Sequence, residues 1–165
     1  MSSILPENSA RRRRRLTAGI KDSMRELTNQ VSLLNHQVGN RLELKDVDLD
    51  CLDLIARDGP LSPSALARRA GLHPATITGI LDRLQRAGWV ARERDPDAAD
   101  RRAVTVRVRP DRGGEIYRLY AGMNSALDGI CAGYSEPELA VLADFLRRAT
   151  EAGRVATDEL AVDSG

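Results

Sequence analysis

The stretch Ser62–Gly88, "SPSALARRAGLHPATITGILDRLQRAG", decides the fold. Ser62 is a good N-cap, and Pro63 stands at the first helical position, where its missing N–H costs nothing. Leu66, Ala67 and Ala70 form a small apolar face, and Gly71 supplies a turn. A second helix then starts at Pro74, with His73 as its cap, and Gly88 stops it. Ile77, Ile80, Leu81 and Leu84 fall at i, i+3, i+4 and i+7 and so share its buried face. The opposite face carries Thr76, Gly79, Arg83 and Arg86, flanked by Ala75 and Thr78. Two short helices joined through a glycine turn read as helix-turn-helix.

Working outward, "RERDPDAADRRAVTVRV" (Arg92–Val108) predicts a hairpin. Trp89 to Arg94 forms one strand and Ala103 to Arg109 the other, with Val104, Val106 and Val108 alternating onto a buried face. The "DPDAAD" between them carries turn chemistry. A hairpin directly after the second helix is a wing. Upstream, "VDLDCLDLIARDGP" predicts a helix with Val47, Cys51, Leu54 and Ile55 on one face, ended by Gly59 and Pro60. Before it, Ile20, Met24, Leu27, Val31, Leu34, Val38 and Leu42 make one stripe of a long helix. A small domain cannot cover such a stripe completely, so part of it is expected to meet another subunit. Beyond Pro110, Ile116, Leu119, Tyr120, Met123, Leu127 and Ile130 make another stripe, with Asp111 as its expected cap. "SEPE" at Ser135–Glu138 is a capping box opening a last helix through Leu139, Leu142 and Leu146.

The expected fold is therefore mainly α with a small β-hairpin wing. A winged helix-turn-helix core over residues 46–110 is flanked by long helices at 16–44 and 111–153. Residues 1–15, with the run Arg11–Arg15, are expected to be a disordered basic arm, either solvated or trailing onto DNA phosphates, and residues 154–165 a frayed tail.

Composition agrees with a folded domain: 42% of residues are apolar and 30% charged, while aromatics are only 3%, so the core must be aliphatic. No apolar run approaches the roughly 20 residues of a membrane helix, and "MSSILPENSA" lacks the apolar region of a secretion signal. The expected compartment is a reducing cytoplasm. Net charge is +1, but residues 60–110 carry 10 basic and 5 acidic groups, whereas residues 111–165 carry 5 and 10. A basic middle in a neutral chain points to a localised anionic partner, with a polyphosphate such as a nucleic-acid backbone the first candidate.

The residue types fit that partner. Short side chains at the start of the second helix let it approach base edges, threonine methyls can meet thymine, and arginines reach phosphate or guanine. A narrow A·T-rich minor groove is strongly negative and accepts an arginine carried on a rigid hairpin. The candidate DNA-binding residues are Ser62, Ser64, Pro74, Ala75, Thr76, Thr78, Gly79 and Arg83 on the helices, with Arg94, Asp100, Arg101 and Arg102 on the wing.

In order and spacing, "ATITGILDRLQRAGWV" followed by "DRR" resembles the MarR family of winged helix-turn-helix transcription regulators, and the likeness runs from about Leu16 to Gly153. The resemblance implies a homodimer with interdigitated terminal helices, recognition helices in successive major grooves and wings in minor grooves. It also implies repression relieved by a small, often aromatic, effector. Ala75, Thr76 and Thr78 match the family's contact positions, and Arg102 matches a wing arginine positioned by Asp100. Gly79 departs from the pattern, where a larger residue is common, and so do Arg109 and Pro110 in place of Leu-Thr.

Three other readings are weaker. A winged helix can serve as a protein-interaction module without DNA, but such a module has no need of the basic middle. A thiol-based oxidant sensor needs a low-pKa cysteine. Cys51 and Cys131 both fall on apolar stripes, and buried filler is the expected role. An enzyme needs a site that is missing here: there is no phosphate loop, no nucleophile motif and no ligand-spaced pair for His36 or His73. No cofactor and no metal are expected.

Overall fold

A computed structural model describes residues 5–94, 99 and 103–162. The chain divides into two compact units, Met1–Ile116 and Tyr117–Gly165. In order, the elements are α1 (Leu5–Leu42), α2 (Asp46–Asp58), α3 (Pro63–Ala70), α4 (Pro74–Arg86), β1 (Val90–Arg94), β2 (Val104–Val108), α5 (Gly113–Cys131) and α6 (Glu136–Val162). No helix among the described residues is long and apolar enough to cross a membrane.

The predicted stops and starts operate through specific bonds. Ser62 Oγ accepts from Ala65 N at 3.1 Å, and His73 Nδ1 accepts from Ala75 N at 3.1 Å. Gly71 closes α3 at φ 64°, a left-handed conformation that frees its N–H for the last carbonyls of the helix. At Ser135 the box is one-sided. Glu138 Oε2 accepts from both Ser135 N and Ser135 Oγ at 2.8 Å, and these bonds hold the Glu138 carboxyl below its ordinary pKa.

The core is the aliphatic cluster the spacing requires. Leu52, Ile55, Leu66, Ile77, Ile80, Leu81 and Leu84 are buried together with Trp89, Val90 and Val106. The hairpin is antiparallel, pairing Val90 with Val108, Arg92 with Val106 and Arg94 with Val104. One further rung joins it: Leu61 and Val106 exchange both backbone bonds, at 3.0 and 2.7 Å. At the foot of the wing, the Arg112 guanidinium lies 3.8 Å over the Trp89 ring and donates to the Ala87 carbonyl at 3.1 Å.

Several expectations need correction. The Arg11–Arg15 run is helical, because α1 begins at Leu5; arginine is a good helix former, and the run contains no breaker. The supposed tail is helical to Val162, the single Gly153 being tolerated inside α6. Asp111 does not cap α5. Arg109 takes its carboxylate at 3.2 and 3.3 Å, and that pairing lowers the Asp111 pKa. Cys131 is exposed in the protomer rather than buried.

Candidate nucleic-acid interface

With Ile77, Ile80, Leu81 and Leu84 buried, the opposite side of α4 faces water. Pro74, Ala75, Thr76 and Thr78 are exposed there and Gly79 is half-buried, so the first two turns present a low surface of small groups. Thr78 Oγ1 already donates to the Pro74 carbonyl at 3.1 Å. Ser62 is half-buried as the α3 cap, and its hydroxyl lies 3.1 Å from that of exposed Ser64. Neither α3 nor α4 has an acidic residue in its first turn, whereas α2, α5 and α6 all do. The positive ends of the two short helices are thus left free of carboxylates.

Arg83 does something other than reach outward. Its Nε and one terminal nitrogen donate to the two Asp48 carboxylate oxygens at 2.9 and 2.6 Å. The Asp48 side chain is only 4% exposed and that of Arg83 39%, so α4 is bolted to α2 by a bidentate pair with one member inside the core. The hydrogen bond from Arg83, seconded by the Asp48 charge, raises the Arg83 pKa further. Sequence reasoning missed Asp48. Its signal was available, because Asp48 stands at i of a set completed by Cys51, Leu52 and Ile55 at i+3, i+4 and i+7. A carboxylate in an apolar stripe demands a cation.

A second link was also missed. Arg92 of β1 pairs with Asp82 of α4 at 2.7 Å, tying the wing to the exposed helix. Arg107 and Glu93 pair across the hairpin at 2.6 Å. Arg86 and Arg94 are exposed and have no ion-pair partner among the described residues. Asp100, Arg101 and Arg102 lie outside the described residues.

Cys51 has 0% exposure, and its thiol is pushed up to about 11 by burial first and by the Asp48 and Asp50 charges next. Its thiolate is therefore scarce at neutral pH. In a Cys131→Ser variant, Ellman's reagent at pH 7.5 is expected to find no thiol in the folded protein and one after denaturation. Rapid labelling of the native variant would contradict the burial. Because the folded pKa is raised, the stability Cys51 contributes is intact below its ordinary value of 9.0 and is lost as pH rises through about 11.

Comparisons with known proteins converge on one family. A family model described as MarR matches residues 44–104. The HTH-type transcriptional regulator YcgE of Bacillus subtilis is 30% identical over 127 residues, covering 77% of this chain and 81% of its own. A MarR family protein from Bacillus stearothermophilus superposes with a TM-score of 0.64 at 20% identity, over 86% of this chain and 97% of its own. FabT of Streptococcus pneumoniae, solved in complex with DNA, superposes at 0.59 with 23% identity, over 84% and 97%.

Proposed function

The chain belongs to the MarR family of winged-helix transcriptional regulators, and from that premise we propose that it is a homodimeric repressor of a nearby operon that binds duplex DNA sequence-specifically. The observation that carries this reading is the exposed face Pro74–Gly79, low, uncharged and set at a helix start without carboxylates. In this reading α4 enters a major groove, and the hairpin, with Arg94 and the Asp100–Arg102 tip, reaches an adjacent minor groove. Arg83 holds α4 in place, while Arg86 is left to meet phosphate.

Dimerisation is supported by what the protomer leaves uncovered. Leu16, Ile20, Leu27 and Val31 of α1 are exposed, as are Leu142, Phe145 and Leu146 of α6, and α5 buries no side chain fully. Apolar surface on that scale in a folded chain marks an interface. Two copies then read a pseudo-palindromic operator whose half-sites lie about one helical turn apart. A small, aromatic effector that alters the packing of the two copies is the proposed release signal. The buried Cys51, with its thiol held in the protonated form, weighs against oxidation at that residue as the trigger.

A salt titration tests the reading. Duplex affinity should fall by roughly a thousandfold or more between about 50 and 200 mM salt, as expected for a dimer making six to ten phosphate contacts. Absence of duplex binding at low salt would sink it and favour an interaction module instead.

A further inference from the structure

Charge in the first 58 residues is segregated. Residues 1–25 carry seven basic and two acidic side chains, and residues 43–58 carry six acidic and two basic. The basic segment is the start of α1, where Arg11–Arg15 are all exposed and none is ion-paired among the described residues. The acidic segment is centred on α2, where Asp46, Asp50 and Asp53 stand exposed at i, i+4 and i+7. Asp46 is engaged by His36, and Asp53 lies 3.9 Å from Arg57, but Asp50 has no counter-charge among the described residues. Asp50 and Asp53, with Val47 and Leu54, line a groove of about 440 Å³ closed on its other side by Ala70 and Leu72. Arg57 and Arg69 also line it, and both pair with Asp58. Burial and the neighbouring Asp46 and Asp53 charges raise the Asp50 pKa, as befits a carboxylate short of a cation.

The two charged segments of one chain cannot meet. α1 is a single helix that faces α2 at His36, 3.1 Å from Asp46. Arg15 lies 21 residues upstream, about 30 Å along the axis and beyond the reach of any side chain. The arginines do, however, run straight into the exposed stripe that starts at Leu16. In the homodimer proposed above, on which this inference rests, a second copy covers that stripe, so the arginine turns emerge at the rim of the same interface.

We propose that the first turns of α1 dock on the acidic groove of a second copy, with Arg11 and Arg15, which share one face of the helix, toward the partner subunit's Asp50 and the partner subunit's Asp53. The strap is electrostatic and works only between copies. It makes dimer stability depend on salt, because pairs at an exposed rim are screened within a Debye length of about 10 Å at 0.1 M.

The test is the dimer dissociation constant, measured by sedimentation at low and high ionic strength, with circular dichroism to verify that each variant stays helical. Replacing all five arginines with glutamine should weaken the dimer about tenfold at low salt and hardly at all at high salt. Asp50→Asn with Asp53→Asn should do the same, and combining the two sets should add nothing further. A charge exchange, Arg11→Asp and Arg15→Asp with Asp50→Arg and Asp53→Arg, should restore the parent value. Additive losses, or an unchanged dimer, overturn the strap. If the glutamine variant loses only duplex affinity, the arm belongs to DNA and the strap is likewise overturned. A parent chain that stays monomeric at every concentration instead refutes the homodimer reading itself, and is recognised before any variant is made.

Discussion

Replacing Arg83 with alanine is expected to destabilise the fold by about 3 kcal/mol, measured by urea unfolding at fixed protein concentration. The cause is the partner left behind. Asp48 is 2% exposed and would be left in the core with no cation to answer it. Asp48→Asn should cost less, about 1–2 kcal/mol, because the abandoned Arg83 side chain is 39% exposed and can be hydrated. The double variant should lose less than the sum, since both changes remove one interaction. Arg83→Lys, which keeps the charge but not the two-pronged geometry, should recover only part of the loss. Equal effects from Arg83→Ala and Asp48→Asn would mean that the burial of Asp48 has been misjudged. Operator affinity should fall with Arg83→Ala as well, because α4 loses its anchor on α2. That loss should shrink when binding is measured well below the melting temperature.

Ala75→Glu should separate stability from binding. Ala75 is exposed in the first turn of α4, and its N–H is already satisfied by His73 Nδ1. A carboxylate there sits at the positive end of the helix and should stabilise it by about 0.3–1 kcal/mol. Facing DNA phosphate, the same charge should cost several kcal/mol, so duplex affinity should drop on the order of 100-fold or more. Ala75→Gln provides the control for bulk and should lose much less. If the glutamate variant binds a duplex as tightly as the parent, this face of α4 does not meet the polyanion.

How much of this was legible in the sequence depends on the range of the interaction responsible. The α3–α4 pair was readable because its signals are local: Ser62, Gly71 and His73 act on backbone groups within a few residues. The hairpin followed from alternating valines, and Val106 is indeed its most buried residue in β2. Helix ends are not legible where a charged composition suggests disorder. Five arginines in a row repel one another, yet each is a good helix former, and the helix continues through them to Leu5. The position of Arg83 on the helical wheel points outward. The partner that turns it lies 35 residues away, where no periodicity reaches. The Leu61–Val106 rung is a one-residue strand with no pattern to announce it. The wing-tip residues Asp100, Arg101 and Arg102 rest on the family resemblance and remain proposals.

That single rung between Leu61 and Val106 has a mechanical corollary. Leu61 immediately precedes the cap that launches α3, while Val106 sits at the middle of β2, opposite Arg92 of β1, whose pair with Asp82 also lashes the hairpin to α4. The helix pair and the hairpin are therefore tied at two points, like the jaws of a caliper with a set opening. In the DNA-binding reading proposed above, such a caliper would gauge the distance between neighbouring grooves, so base pairs that neither jaw touches would matter by how readily they let the duplex match that gauge.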